Sequence, residues 1–182
     1  MSDYITTYTK RHLTVADPKP EDIVAEDIAH ALSMMTRANG HFPEFYSVAQ
    51  HCIHCCEEAK ARNYSIRVCL LCLLHDASEA YLADITRPVK KYLKQYLDFE
   101  NILQDTIYLK FLGTLPDEEE RKQVSLVDDA LLYHEFYHYM GECLAIEAPE
   151  LKSSPVFELL PFGQVEEMYR RLLVELLLEL VS

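Results

Sequence analysis

From Glu21 onward, apolar residues return every three or four positions in a series of segments, and only four glycines punctuate the 182 residues. That spacing gathers apolar side chains on one stripe of a helix and does not fit the alternation of a half-buried strand. Ile23, Ile28, Ala31, Leu32 and Met35 predict a first helix from Glu21 to near Arg37, with acids in its first turn and the breaker Asn39-Gly40 beyond it. A second helix starts near Ser47, with Val48, His51, Cys52, Cys55 and Ala59 on one broad face, and a third runs from about Ser65 to Tyr81. Asp84 to Pro88 reads as a connector, because Pro88 disfavours helix at Arg87. Val89 to Tyr96 and Leu97 to Leu112 read as two further helical segments stopped by Gly113. Pro116 at N1 opens a long helix that reaches Met140, and after a turn-rich stretch over 142–161 a leucine-rich helix closes the chain over Phe162 to Val181. Residues 1–20 alternate and break at Pro18 and Pro20, which suggests a short strand or hairpin. The expected fold is an all-α bundle in one domain: an N-terminal extension over 1–20, a helical core over 21–140, and a connector and closing helix over 141–182.

A formal charge of −13 disfavours a polyanion partner, since binding a nucleic-acid backbone needs clustered basic surface. A small anion remains compatible, because one metal and a few local cations outweigh a distant acidic field. No apolar run reaches the ~18 residues of a membrane span, and Met1 to Thr7 lacks the basic and apolar regions of a signal peptide. The expectation is a cytoplasmic protein without a membrane partner. Cys52, Cys55, Cys69 and Cys72 have the spacing of a zinc ribbon. They lie at i, i+3 within apolar helical patterns without knuckle residues, so buried free thiols are expected.

The run Leu70 to Leu74 ends in His75-Asp76, two adjacent metal-capable side chains, and Glu79 follows one turn later. On a helix these three can face one cavity, two to hold a cation and the third free to handle a proton. His51 in Ser47-Val48-Ala49-Gln50-His51 and Asp128 in Ser125-Leu126-Val127-Asp128-Asp129 extend the pattern to His, His-Asp, Asp on three helices.

That order resembles the HD-domain metal-dependent phosphohydrolases. Ser47 to His51, Leu74 to Glu79, and Asp84-Ile85-Thr86-Arg87-Pro88-Val89-Lys90 resemble signature segments of the 5'-deoxynucleotidase-like branch, over residues 24–135 or so. The resemblance implies that His51, His75, Asp76 and Asp128 hold one divalent metal, drawn from Mn, Co, Fe, Ni, Zn or Mg, which would polarise a phosphoryl oxygen and supply a nucleophile from water. Glu79, one turn beyond the ligand pair and not required as a ligand, is the candidate to orient or deprotonate that water, and Asp84 matches an acidic position of the family that assists proton transfer or touches the sugar. Arg37 matches an arginine that contacts the substrate phosphate, and Lys90 offers a second cation. Ala38 stands where deoxynucleotidases have Trp, and the chain contains no Trp. Phe42, Phe45 and Tyr46 are the aromatic alternatives.

His30 and His54 read as ordinary hydrogen-bonded core residues. His134, Glu135 and His138 have spacing open to a second metal, with burial or surface exposure the simpler reading and Glu135 a possible support behind the ligands. Leu172, Leu173, Leu176, Leu177, Leu178 and Leu180 cover more than one helix face. They point to burial from two sides, in the core or at a subunit contact, and the resemblance adds the expectation of a homo-oligomer. The function expected is hydrolysis of a small nucleotide, first a (deoxy)nucleoside 5'-monophosphate. A deoxynucleoside triphosphate triphosphohydrolase and a nucleotide-sensing protein without turnover are the alternatives.

Overall fold

A computed structural model describes residues 3–182; Met1 and Ser2, the start of the N-terminal extension, lie outside them. The fold is all-α with a short N-terminal hairpin, as the periodicity predicts. Strand β1 (Ile5–Thr6) pairs antiparallel with β2 (His12–Leu13). The helices are α1 (Ala25–Met34), α2 (Val48–Ala61), α3 (Ile66–Leu74), α4 (Glu79–Leu82), α5 (Arg87–Lys90), α6 (Lys94–Leu112), α7 (Glu118–Met140) and α8 (Phe162–Leu180). Among the described residues, no helix is long and apolar enough to cross a membrane.

Helix α3 is the axis of the bundle, packed against α2, α6, α7 and α8. Val68 to Leu74 are all buried, so this helix is apolar on every side. Leu70, Leu71, Leu73 and Leu74 each contribute about 1.5–3 kcal/mol by leaving water. Cys52, Cys55, Cys56, Cys69 and Cys72 are buried free thiols that serve α2 and α3 as small apolar groups. On α8, Val165, Tyr169, Leu173 and Leu176 enter the core while Val174 and Leu178 stay exposed.

Local chemistry sets the helix starts. Ser47 and Gln50 form a capping box that fixes the first turn of α2, and Asp117 with Glu120 does the same for α7. Pro116 therefore precedes the N-cap and is not at N1. The first helix is shorter than its periodicity suggests: Pro20 to Asp22 form a separate 3₁₀ turn, and α1 begins at Ala25. The expected helix over 65–81 divides at the His75-Asp76 pair. Through Leu74 to Tyr81 the backbone bonds tighten to i→i+3, as in Ala77 N–H to the Leu74 carbonyl and Glu79 N–H to the Asp76 carbonyl. Pro88, expected to keep its neighbourhood non-helical, instead sits in the first turn of α5, where its missing N–H has no partner to lose. The segment expected over 89–96 is split, its first residues in α5 and its last in α6.

After Gly141, which caps α7 in the left-handed region, residues 142–161 cross the bundle without regular structure. Buried Glu58 anchors them by accepting the Lys152 and Ser153 N–H groups and the Ser153 hydroxyl, while also pairing with Arg62. Gln50 Nε2 donates to the Glu158 carbonyl. His134 Nε2 donates to the Pro149 carbonyl at 2.8 Å, and His138 is exposed, so these two histidines do not converge on a shared site.

Candidate metal centre

His51 lies one turn inside α2, His75 at the C-cap of α3, Asp76 in the following 3₁₀-like turn, and Asp128 in the middle of α7. The fold brings all four together. Nε2 of His51 is 3.2 Å from Nε2 of His75 and 3.2 Å from Asp128 Oδ1. Asp76 Oδ2 lies 3.4 Å from His75 Nε2 and 3.8 Å from His51 Nε2. Ligands bound to one metal at about 2.0–2.2 Å stand roughly 3 Å apart, so these separations suit a common ion.

The tautomers follow from the other ring nitrogens. His75 Nδ1 faces the Cys72 carbonyl at 2.8 Å, an oxygen that only accepts, and His51 Nδ1 faces Glu135 Oε1 at 2.6 Å. Both Nδ1 atoms therefore carry hydrogen, and both Nε2 lone pairs point at the same place. Two lone pairs at this distance repel unless a cation, proton or metal, lies between them. The buried His, Cys and Asp groups here can hold a metal ion.

Two thiols border the cluster. Cys55 joins His51, His75 and Asp128 with donor atoms within 4.8 Å of one another, and Cys52 joins His75 and Asp76 in the same way. Burial drives the Cys55 thiol well above its ordinary pKa and Cys52 to about 11, so both are neutral thiols and weaker donors than Asp76. Asp129, the neighbour of Asp128, is turned outward and paired with Arg87.

Burial alone would lower both imidazole pKa values. For His75, Asp76 and Asp128 outweigh burial and hold the ring well above the ordinary histidine range. For His51, burial and Arg37 lower the pKa, but Glu135 and Asp128 raise it further. In Asp128, burial is overcome by hydrogen bonds to both histidines, which keep the carboxylate ionised. The field that attracts protons here also attracts a divalent cation.

The cluster opens on a cavity of about 400 Å³ whose lining includes Arg37, Asp76, Glu79, Asp84, Lys90 and Asp128. Glu79 is 3% exposed; Oε1 accepts from Lys90 Nζ at 3.1 Å, and Oε2 has no hydrogen-bond partner. Burial, then Asp76 and Asp84, push its pKa well up against the pull of Lys90. Lys90, expected as a second cation beside Arg37, is held between Glu79 and Glu100, the latter at 2.6 Å. Asp84 follows Ala83, whose φ of 117° is a left-handed strain that turns the chain back toward the site. Its carboxylate comes within 4.0 Å of Arg37.

Arg37 lies beyond α1, before three left-handed residues, Ala38, Asn39 and Gly40. Backbone bonds from Arg37 N–H to the Tyr46 carbonyl and from Val48 N–H to the Met35 carbonyl close the loop at its base. The guanidinium donates to Asp76 at 3.3 Å and to Glu135 at 3.5 Å. Of the three aromatic alternatives only Phe42 lines the cavity, together with Ile85, Leu132, Phe136 and Leu144. Phe45 lies on a different surface groove beside Met34, and Tyr46 is buried behind the cluster.

Two neighbours of the cluster have weak sequence signals. Arg87 pairs with both Asp128 and Asp129 from the cavity wall, although within the segment Asp84 to Lys90 the sequence singles out only Asp84 and Lys90. Glu135 is fully buried between His51, Tyr46 and Arg37; its spacing of seven from Asp128, two helical turns along the same face, was the available clue.

No protein-family model matches the chain. It is 35% identical over 108 residues to YfdR, an uncharacterized protein of Escherichia coli, covering 59% of this chain and 58% of the relative. It is 42% identical over 107 residues to an uncharacterized protein of Rhodobacter capsulatus, covering 56% of this chain and 54% of that one. The chain thus spans little more than half the length of the curated relatives it matches.

Proposed function

We propose that this chain is a metal-dependent phosphohydrolase of the HD-domain type acting on small nucleotides, with (deoxy)nucleoside 5'-monophosphates as the first substrate class. The observation that carries this reading is the pair of Nε2 lone pairs converging beside Asp76 and Asp128 at the floor of an open cavity. His51, His75, Asp76 and Asp128 would hold the ion. Bound there, a divalent metal supplies a Lewis acid for a phosphoryl oxygen and acidifies water.

The residues around it divide the remaining work. Asp76, Glu79, Asp84, Asp128 and Glu142 face Arg37, Arg87 and Lys90 across the cavity, an acidic excess that repels phosphate until a cation offsets it. Arg37 and Arg87 orient the phosphate through N–H donors in a planar fork. Glu79, with one unpartnered oxygen and a pKa raised by burial and by Asp76 and Asp84, is the group that takes up or returns a proton beside the ion. Phe42, Leu132, Phe136 and Leu144 form the apolar wall for the organic part of the substrate. A cavity of about 400 Å³ is at the small end for ligand sites, which favours a mononucleotide. We place the protein in the cytoplasm as a homo-oligomer on the sequence arguments above.

Three cations near one cavity are the observation that favours a second reading, cleavage of a deoxynucleoside triphosphate. A product-resolved hydrolysis screen separates them, run on deoxy- and ribonucleoside mono- and triphosphates with chelated protein resupplied with Mn, Co, Ni, Zn or Mg. Metal-restored release of inorganic phosphate from monophosphates is the expected result. Tripolyphosphate release would replace it with the second reading, and binding without turnover under every metal would point to a nucleotide sensor.

A further inference from the structure

The metal reading leaves unexplained a buried polar chain behind the cluster. Glu135 is 0% exposed, yet its carboxylate is fully engaged: Oε1 accepts from His51 Nδ1 at 2.6 Å and from the Tyr46 hydroxyl at 3.0 Å, and Oε2 accepts from Arg37 at 3.5 Å. Because the single Tyr46 hydrogen goes to Glu135, the 2.9 Å contact between Tyr46 Oη and His54 Nδ1 must be a bond donated by His54. Burial lowers the His54 pKa to about 4, which keeps the ring neutral and able to make that one donation. The donors of this chain end on one carboxylate.

Resting on the metal reading above, we infer that Glu135 is a positioning residue that couples the metal-holding imidazole of His51 to the phosphate-binding guanidinium of Arg37, with Tyr46 and His54 fixing its orientation. Three features carry this. An ionised carboxylate in the core is costly without full satisfaction, and this one has a donor for each oxygen. Its bond to His51 Nδ1 selects the tautomer that presents Nε2 to the ion and makes that nitrogen a stronger donor. Its bond to Arg37 holds a buried guanidinium at the edge of the cavity, where two of five N–H donors go to Asp76 and Glu135. The polar groups packed on Glu135 come from α2 (His51), the loop before it (Arg37, Tyr46) and, one step behind, His54. One side chain thus sets both halves of the site.

Glu135→Gln keeps the volume but cannot accept on both oxygens, so one of the three donors loses its acceptor. Manganese affinity of the substrate-free protein, by competition with a chromophoric chelator, is expected to fall roughly 10- to 100-fold. Inorganic phosphate binding to the manganese-saturated variant is expected to weaken as well, by several-fold. Glu58→Gln, at another buried carboxylate whose partners are Arg62 and the connector residues Lys152 and Ser153, serves as the structural control and should leave both affinities unchanged. Tyr46→Phe retains the carboxylate and carries the test if Glu135→Gln does not fold; it should lower manganese affinity a few-fold. Wild-type manganese affinity in folded Glu135→Gln, or in Tyr46→Phe where that variant stands in, overturns the positioning role. Loss of metal affinity with phosphate affinity intact overturns the coupling. A wild type that takes up no manganese, cobalt, nickel or zinc would instead overturn the metal reading itself.

Discussion

Metal binding should stabilise the native protein, and the structure gives the size and pH trend of the effect. The proposed ligands come from α2, the α3–α4 turn and α7, so an ion ties together three elements that are far apart in an unfolded chain. With little affinity for that unfolded chain, free metal at a hundred times its dissociation constant adds about 2.7 kcal/mol. In a domain of this size that corresponds to a rise in Tm of about 5–11 °C. The pH dependence follows from the imidazoles. Their folded pKa values are raised, His75 by Asp76 and Asp128 against the opposing effect of burial, His51 by Glu135 and Asp128. Protonation therefore stabilises the metal-free fold fully below the ordinary histidine pKa of about 6.5, and that contribution is lost as pH rises through the folded values. A metal must displace those protons, so its stabilising increment grows with pH from about 6 upward. Differential scanning fluorimetry of chelated protein with and without manganese, across this range, measures the increment. Asp76→Ala and Asp128→Ala should abolish it and Glu79→Ala should keep it. An increment that shrinks with rising pH, or that survives in Asp76→Ala, would refute the assignment of these donors.

Glu79→Ala should lower turnover about 10²- to 10⁴-fold in a metal-restored hydrolysis assay while metal content stays at the wild-type level. Lys90→Met removes the cation that lowers the Glu79 pKa, so the acidic limb of the kcat profile should move to higher pH; an unmoved limb would separate Lys90 from Glu79 function. Arg37→Ala should raise KM for every phosphate ester tested, and an unchanged KM would remove Arg37 from the site. Glu58→Ala strands the Lys152 and Ser153 amides and should cost about 2–4 kcal/mol in urea unfolding, with manganese affinity preserved.

The helical architecture was legible because its signals are local. Periodicity located the long helices, and Ser47 and Ser65 mark two of their starts as capping residues, while α7 is capped by Asp117 and not opened by Pro116 at N1. The tightened turn at His75 to Ser78 was invisible to periodicity, since i→i+3 and i→i+4 winding place apolar residues in nearly the same pattern over so few positions. Pro88 misled for a related reason: the penalty on the preceding residue is weak at a helix start. The motif residues His51, His75, Asp76 and Asp128 meet in space, and the segment Asp84 to Lys90 supplies part of the cavity wall, whereas its apolar side at Leu132, Phe136 and Leu144 follows from no motif. Leu144 arrives from a connector whose course depends on Glu58 and His134, residues whose tertiary partners no sequence spacing reveals. Arg87 and Glu135 have the same origin: their importance lies in which carboxylate or imidazole faces them across the bundle.

The most direct test of the account is the metal stoichiometry of the protein. Chelated wild type, equilibrated with manganese and freed of excess ion, should retain about one equivalent by elemental analysis, while Asp76→Ala and Asp128→Ala, shown to be folded by circular dichroism, retain essentially none. One retained equivalent in all three proteins would place the ion elsewhere, and none in wild type with any of the candidate metals would contradict the metal centre outright.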